Sequence, residues 1–284
     1  MKPGQLKFGY GTNGFAHHRL PDALRVIANL GYEGVALTLD HCHLDPFARD
    51  LFHRVSALVL DLERLGLSVV VETGAGYLLD PWRKNSPTLL EPGRDKRIAF
   101  LVKAVAIAAD LGAGVVSFGG GVVPGGLPGP LAWDYLAEGC ENVLAAADAC
   151  GVRLGFEPRP DMLAADLDGY DRLAARLGDP ERFGLALDIG HCRCAEPQPV
   201  AECVRRAGQR LVHVQLDDRC HGGHENLELG HGEIDFPPVL DALAQIGYRG
   251  LVAVDLPRHS HIAPVVARES LDFLRRATSR EAIA

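Results

Sequence analysis

Acidic residues and a histidine lie where each of the last four predicted strands ends. They are Glu157 in LGFEPRP, Asp188 in LALDIGH, His213 in LVHVQLDD and Asp255 in LVAVDLPRH. If these strands are neighbours in one parallel barrel, their carboxyl ends converge and bring the four side chains to one rim. Three oxygen donors and one imidazole suit a divalent cation. The pattern therefore predicts a metal-assisted site.

Strand seven offers two candidate ligands, because residues two apart on a strand point to the same side. His213 and Gln215 compete for the inward position at its end. Imidazole is the better ligand, whereas a carboxamide oxygen binds hard cations such as Mg²⁺ or Mn²⁺ and Gln215 lies nearer to the strand end. Ligand chemistry favours His213, and both residues stay candidates.

Several other polar side chains are candidates to contact a substrate. Asn13 follows strand one, Glu72 closes the VVVE strand, and Arg159 and Arg258 follow Glu157 and Asp255. An arginine binds a carboxylate or phosphate through two parallel hydrogen bonds. His191 is a candidate catalytic residue, because the turn after Asp188 would place it beside the metal.

The elements that position these residues alternate between short apolar runs and longer amphipathic stretches. Predicted strands cover 6–12, 33–39, 67–73, 113–118, 152–158, 183–189, 211–217 and 251–256. Predicted helices cover 21–31, 46–66, 95–112, 168–177, 200–207, 236–246 and 264–276, with one more after the Gly/Pro loop 119–130. Eight such units predict a single α/β domain over residues 1–284, a (β/α)₈ TIM barrel rather than a doubly wound sheet.

Composition narrows the class of partner. The chain has 29 basic and 37 acidic residues and a net charge of −8, which argues against contact with nucleic acid or anionic membranes and favours a small-molecule substrate. We find no signal-peptide pattern and no apolar run long enough for a membrane span, so we expect a cytoplasmic protein.

The loop 78–93 is interpreted as a lid or as the contact of a homodimer.

Four segments carry a family resemblance: DIGH (188–191), HVQLDD (213–218), HENLELGHGEIDF (224–236) and GYRGLVAVDL (247–256). With them, the chain resembles the xylose isomerase-like TIM barrels. That family includes ketose 3-epimerases, hydroxypyruvate isomerase, inosose dehydratases, 3-dehydroshikimate dehydratase and the endonuclease IV group. The resemblance implies a cation held by Glu157, Asp188, a strand-seven residue and Asp255, with His191 near the substrate.

The chain departs from the family pattern at two of these ligands. The strand-eight ligand of the family is usually Glu, and Asp255 is one methylene shorter. The usual HxH of strand seven reads His213-Val214-Gln215, and the second histidine is the usual ligand. The resemblance therefore points to Gln215 where ligand chemistry favours His213.

The segment His224-Glu225-Asn226-Leu227 resembles HENLG of endonuclease IV, which adds His224 to the candidate substrate-binding residues. Other ligands of that trinuclear zinc site have no counterpart. Gly222 replaces an aspartate, and strand four ends in SFGGG without a histidine. We therefore do not expect a three-zinc phosphodiesterase.

These observations predict a divalent metal-dependent isomerase or epimerase that acts on a keto sugar, inosose or related polyol. A cation (Mn²⁺, Co²⁺, Mg²⁺ or Zn²⁺) would stabilise an enediolate, and Glu157 and Asp255 would move protons on its two faces. A dehydratase on the same scaffold is the main alternative. An endonuclease IV-like hydrolase and a barrel that only binds a metabolite are the others.

Overall fold

Eight parallel strands pair in chain order and close into a barrel, because the last strand also pairs with the first. The computed structural model describes residues 6–220, 222–223 and 225–279. The strands are β1 (Lys7–Gly11), β2 (Gly34–Thr38), β3 (Ser68–Glu72), β4 (Val115–Phe118), β5 (Arg153–Phe156), β6 (Phe183–Asp188), β7 (Leu211–Leu216) and β8 (Leu251–Val254). The predicted TIM barrel is confirmed.

Helices surround the barrel. They are α1 (Leu20–Leu30), α2 (Leu51–Leu65), α3 (Arg94–Asp110), α4 (Gly129–Cys150), α5 (Leu167–Arg176), α6 (Ile189–Ala195), α7 (Val200–Ala207), α8 (Phe236–Gln245) and α9 (Ala263–Ser279). Short 3-10 helices cover Thr12–Phe15, Gly208–Arg210 and Pro257–Ile262. Within the described ranges, no helix is both long and apolar enough to cross a bilayer.

Two helices differ from the prediction. The second begins at Leu51 rather than near residue 46, because the Asp45 carboxylate accepts a hydrogen bond from the Phe47 amide (2.8 Å) and holds a turn there. The short helix α6, which was not predicted, begins directly after β6. Its first turn is capped by Asp188, whose Oδ1 accepts from the His191 amide at 2.8 Å.

The sequence pattern located three helix ends correctly. Gly31, Gly112 and Gly247 follow α1, α3 and α8 with φ of 98°, 68° and 70°. Only glycine adopts this left-handed conformation without a steric cost, so the chain turns from helix to strand at these residues.

Strand residues alternate between two environments. Outward residues pack against the helices in the large core, and inward residues such as Ala36, Val70, Leu251 and Ala253 pack together inside the barrel. This apolar plug lies below the next inward layer, which is closer to the carboxyl ends of the strands, where TIM barrels bind their ligands.

Candidate active site

The next inward layer is polar on every strand. One residue within two positions of the carboxyl end of each strand lines a single cavity of about 520 Å³. In strand order they are Asn13, Thr38, Glu72, Ser117, Glu157, Asp188, Gln215 and Asp255. Our sequence reasoning named six of these polar residues and missed Thr38 and Ser117, which counting inward positions on every strand would have found.

Glu157, Asp188 and His191 form a tight group at the end of β5 and β6. The His191 Nδ1 atom lies 3.2 Å from Glu157 Oε1 and 3.2 Å from Asp188 Oδ2. All three residues are buried, and each has a ligand atom within 4.8 Å of the others. Two carboxylates and an imidazole at this spacing can hold a metal ion between them.

The position of Asp188 follows from the turn into α6. Gly190 leaves room there for Asp217, because a Cβ atom at residue 190 would lie 2.0 Å from Asp217 Oδ1.

Burial opposes ionisation of Asp188, but the nearby His191 and Arg219 charges and the His191 amide outweigh it and lower the pKa of this carboxyl. Asp188 is therefore held as a carboxylate.

Asp255, just after β8, has a carboxyl pKa that its surroundings shift strongly. Its Oδ1 accepts a hydrogen bond from Asn13 Nδ2 at 2.7 Å, which favours ionisation. Burial, followed by the charges of Glu72, Asp188 and Glu157, outweighs that bond and raises the pKa of Asp255 to about 8. In the absence of a cation, the raised pKa therefore favours the protonated form of Asp255 at neutral pH.

This raised pKa predicts a pH dependence of stability for protein treated with a chelator. The folded state keeps the Asp255 proton up to about pH 8, whereas the unfolded chain loses it near the usual 3.8. The free energy of unfolding should therefore fall as the pH rises across this window. Asp255→Asn should flatten the fall, and urea titrations between about pH 5 and about pH 8 measure it. Parallel slopes for the two proteins would contradict this assignment.

The structure places the two strand-seven candidates in different layers. Gln215 pairs in register with Asp188 and lines the cavity, whereas His213 pairs with Ala186, one layer lower. His213 is fully buried, and its Nε2 lies 3.1 Å from Glu72 Oε1. Gln215 therefore reaches the same layer as Asp188, and His213 contacts Glu72 beneath it.

The remaining substrate-binding candidates lie in different places. Arg159 lines the cavity, with Nη1 3.9 Å from Glu157 Oε1. Arg258 is exposed and pairs with Glu225 at 2.6 Å. His224 lies outside the described residues.

Sequence reasoning missed Arg219, an arginine of the cavity wall. Its Nε donates to Asp217 Oδ2 at 2.8 Å, and both residues are buried. The contact between Arg219 and Asp217 was hard to predict from the sequence. Asp217 and Asp218 are consecutive after β7, but their side chains lie in different surroundings.

Asp218 organises the loop that follows β7. Its carboxylate accepts four backbone amides, from Arg219 (2.8 Å), Gly230 (2.9 Å), Gly232 (2.9 Å) and Ile234 (3.1 Å). Asp218 is fully buried, so these bonds are shielded from water. The same loop carries Arg219 into the cavity wall.

Asp218→Ala should leave these buried amides without an acceptor and lower the free energy of unfolding by about 3 kcal/mol. Asp235→Ala is the matched control, because Asp235 precedes α8 without a side-chain capping bond and its loss should change stability by less than about 1 kcal/mol. Urea denaturation compares the two variants. Equal losses would show that the Asp218 bonds contribute little.

The loop between β3 and α3 forms another wall of the cavity through Tyr77, Lys84 and Asn85. Arg97 on α3 ties it down, since Nε donates to the Pro87 carbonyl (2.8 Å) and Nη2 to that of Asn85 (3.0 Å). Trp82 lies in the same loop but is not held by Arg97, and it is 90% exposed. The contacts with α3 make this segment a braced wall in the structure.

The fold and the polar cavity at its carboxyl rim define a TIM-barrel protein with a buried acidic site. The family model for the xylose isomerase-like TIM barrel matches residues 24–277, and the chain belongs to this family. The resemblance inferred from the sequence motifs is thus confirmed.

Three curated relatives illustrate the range of the family. An uncharacterized protein of Methanocaldococcus jannaschii is 24% identical over 262 residues, covering 88% of this chain and 83% of the relative. The L-ribulose 3-epimerase of Mesorhizobium japonicum is 27% identical over 232 residues, 79% of this chain and 72% of that protein. An inosose dehydratase of Geobacillus kaustophilus is 25% identical over 164 residues, about half of each chain (50% and 53%).

Solved structures share the fold. A D-tagatose 3-epimerase-like protein superposes with a TM-score of 0.76 at 20% identity, covering 95% of this chain and 99% of its own. The IolI protein, determined with a bound zinc atom, gives a TM-score of 0.78 at 16% identity, covering 97% and 99%.

Proposed function

We propose that the protein is a divalent metal-dependent isomerase or epimerase acting on a keto sugar, inosose or related polyol. The observation that carries this proposal is the convergence of Glu157, Asp188, Gln215 and Asp255 on one cavity above an apolar plug. The sugar epimerase and inosose dehydratase among the relatives support the same class of chemistry.

The donor set fits a hard divalent cation. The oxygen donors are carboxylates and a carboxamide, which are ligands that Mg²⁺ and Mn²⁺ prefer. The Gln215 Oε1 atom is buried and has no hydrogen-bond partner in the described part of the chain. Burial and the charges of the surrounding carboxylates raise the pKa of Asp255, and a cation would offset the repulsion between these carboxylates. Glu157, Asp188, Gln215 and Asp255 would hold the ion.

A bound cation would act as a Lewis acid and acidify the proton next to the carbonyl of a chelated hydroxyketone. Glu157 and Asp255 follow strands that lie three places apart in the barrel, so they approach the cavity from different sides. Glu157 and Asp255 can each remove a proton from the substrate carbon or, once protonated, return one from its own side of the cavity. Return at the original carbon on the other face gives an epimer. Return at the former carbonyl carbon, with the hydroxyl proton passed to the former carbonyl oxygen, gives an isomer.

Other residues would hold the carboxyl groups and the substrate in place. Asn13 donates its amide to Asp255 and so orients that carboxyl group, whereas His191 lies between Glu157 and Asp188 and holds these two relative to one another. Arg159 adds a cationic donor at the same wall for a hydroxyl or acidic substituent.

Solvent exchange tests the proposal. Protein loaded with Mn²⁺ is incubated in deuterated water with a panel of ketoses and inososes, and NMR follows deuterium at the carbon next to the carbonyl. We expect incorporation that depends on the cation. A protein that binds none of the four candidate cations, and exchanges no proton across the panel, would refute the proposal.

The second candidate is a dehydratase. The raised pKa of Asp255 favours it, because a carboxyl group that readily takes up a proton can donate that proton to a departing hydroxyl. The same panel separates the two activities, since loss of water yields a conjugated enone that absorbs ultraviolet light, whereas epimerisation does not.

A further inference from the structure

Glu72 contacts two side chains of β7 from across the barrel. A single atom, Glu72 Oε1, accepts hydrogen bonds from Gln215 Nε2 at 2.9 Å and from His213 Nε2 at 3.1 Å. The three residues are at most 6% exposed, so water does not compete for these bonds. The Glu72 carboxylate therefore links His213, which lies in the layer below the cavity, to Gln215, which lines the cavity.

The contact decides which end of the Gln215 amide enters the cavity. A carboxylate only accepts hydrogen bonds, so it attracts the amino end and repels the oxygen end. The opposite rotamer would place Gln215 Oε1 against Glu72 Oε1 with no proton between them. The observed orientation leaves Gln215 Oε1 unpartnered among the described residues, in the cavity layer of Asp188.

We propose that Glu72 is a positioning residue that turns the Gln215 carboxamide oxygen toward the cation, while His213 holds Glu72 from below. This inference rests on the proposed function, because it assigns Gln215 as the ligand from β7. It gives His213 an indirect role: the imidazole donates through Nε2, while Nδ1 has no hydrogen-bond partner within the described ranges. Glu72 then acts on the ligand rather than on the substrate.

A double-substitution cycle tests the inference, because the change in Mn²⁺ affinity caused by Glu72→Gln should have opposite signs in two backgrounds. Isothermal titration with Mn²⁺ compares the wild-type protein, Glu72→Gln, Gln215→Glu and the double variant. Glu72→Gln frees the amide of residue 215 to turn, and we expect Mn²⁺ affinity to fall at least about tenfold, as for other residues that orient a metal ligand.

In the Gln215→Glu background the same substitution should strengthen Mn²⁺ binding. Two carboxylates would meet there, and Glu72→Gln would replace their repulsion with an amide donor to the new ligand. A purely structural role for Glu72 predicts weaker binding in both backgrounds, as does direct ligation by Glu72. Glu63→Gln, on the exposed face of α2, is the charge-matched control and should leave the affinity within about twofold.

The outcomes separate the inference from the function on which it rests. Absence of Mn²⁺ binding to the wild-type protein would refute the cation site itself. Wild-type binding with an unchanged affinity in Glu72→Gln, or with a loss in both backgrounds, would overturn the positioning role alone. Thermal unfolding in the presence of a chelator identifies any variant that fails to fold. Gln215→Ala then serves as a second test, since removal of Glu72 should add no further loss to it.

Discussion

Glu157→Gln is expected to lower the rate of substrate proton exchange by about 10³-fold, the usual contribution of a general base. Glutamine keeps the size of the side chain but cannot take up a proton. The effect should persist at saturating Mn²⁺, because the lost function is proton removal and not only ligation. Exchange of the substrate proton into deuterated water, followed by NMR, measures the rate.

Two comparisons make this prediction specific. Glu141→Gln changes the same side chain on an exposed face of α4 and should leave the exchange rate unchanged. The Mn²⁺ affinity of Glu157→Gln, measured separately, shows how much of the loss comes from ligation. Exchange within about tenfold of the wild-type rate at saturating cation would mean that another group removes the proton.

Stripping the cation should have the other large effect. A chelator is expected to abolish turnover, and addition of Mn²⁺ at about 100 times its Kd should restore it while stabilising the fold by about 2.7 kcal/mol. That stabilisation corresponds to a rise in Tm of several degrees for a chain of this size. Thermal unfolding with and without Mn²⁺ measures the rise.

Asp188→Asn should remove most of this Mn²⁺-dependent rise in Tm, because the carboxylate held at the start of α6 is a proposed ligand. Asp272→Asn on the exposed face of α9 is its control and should show the full rise. An undiminished rise in Asp188→Asn would place the cation elsewhere on the protein.

The fold was predictable because its signals are local. Apolar runs, amphipathic stretches and the glycines at 31, 112 and 247 each act within a few residues, and together they define eight units. Strand ends are likewise visible in the sequence, which is why Glu157, Asp188 and Asp255 can be assigned to one rim from the sequence alone.

The arrangement inside the rim was harder to predict. A register irregularity between Leu185 and Ala186 sets the height of β7 against β6, and it brings Gln215 level with Asp188. The bonds of Glu72 to His213 and Gln215 join residues 141 and 143 positions apart in sequence. Such pairings depend on barrel closure, which no short segment encodes, so sequence reasoning placed Glu72 at the barrel mouth without identifying its partners.

The polar layer divides the barrel into unlike halves. The four proposed ligands all come from β5 to β8, whereas β1 to β4 contribute Asn13, Thr38, Glu72 and Ser117 together with the braced wall after β3. Substitutions in the first half, Asn13 and Glu72 aside, can thus alter the shape of the binding chamber without touching a cation ligand. Substitutions there could change which substrate fits the cavity, while the proposed cation ligands in the second half stay the same.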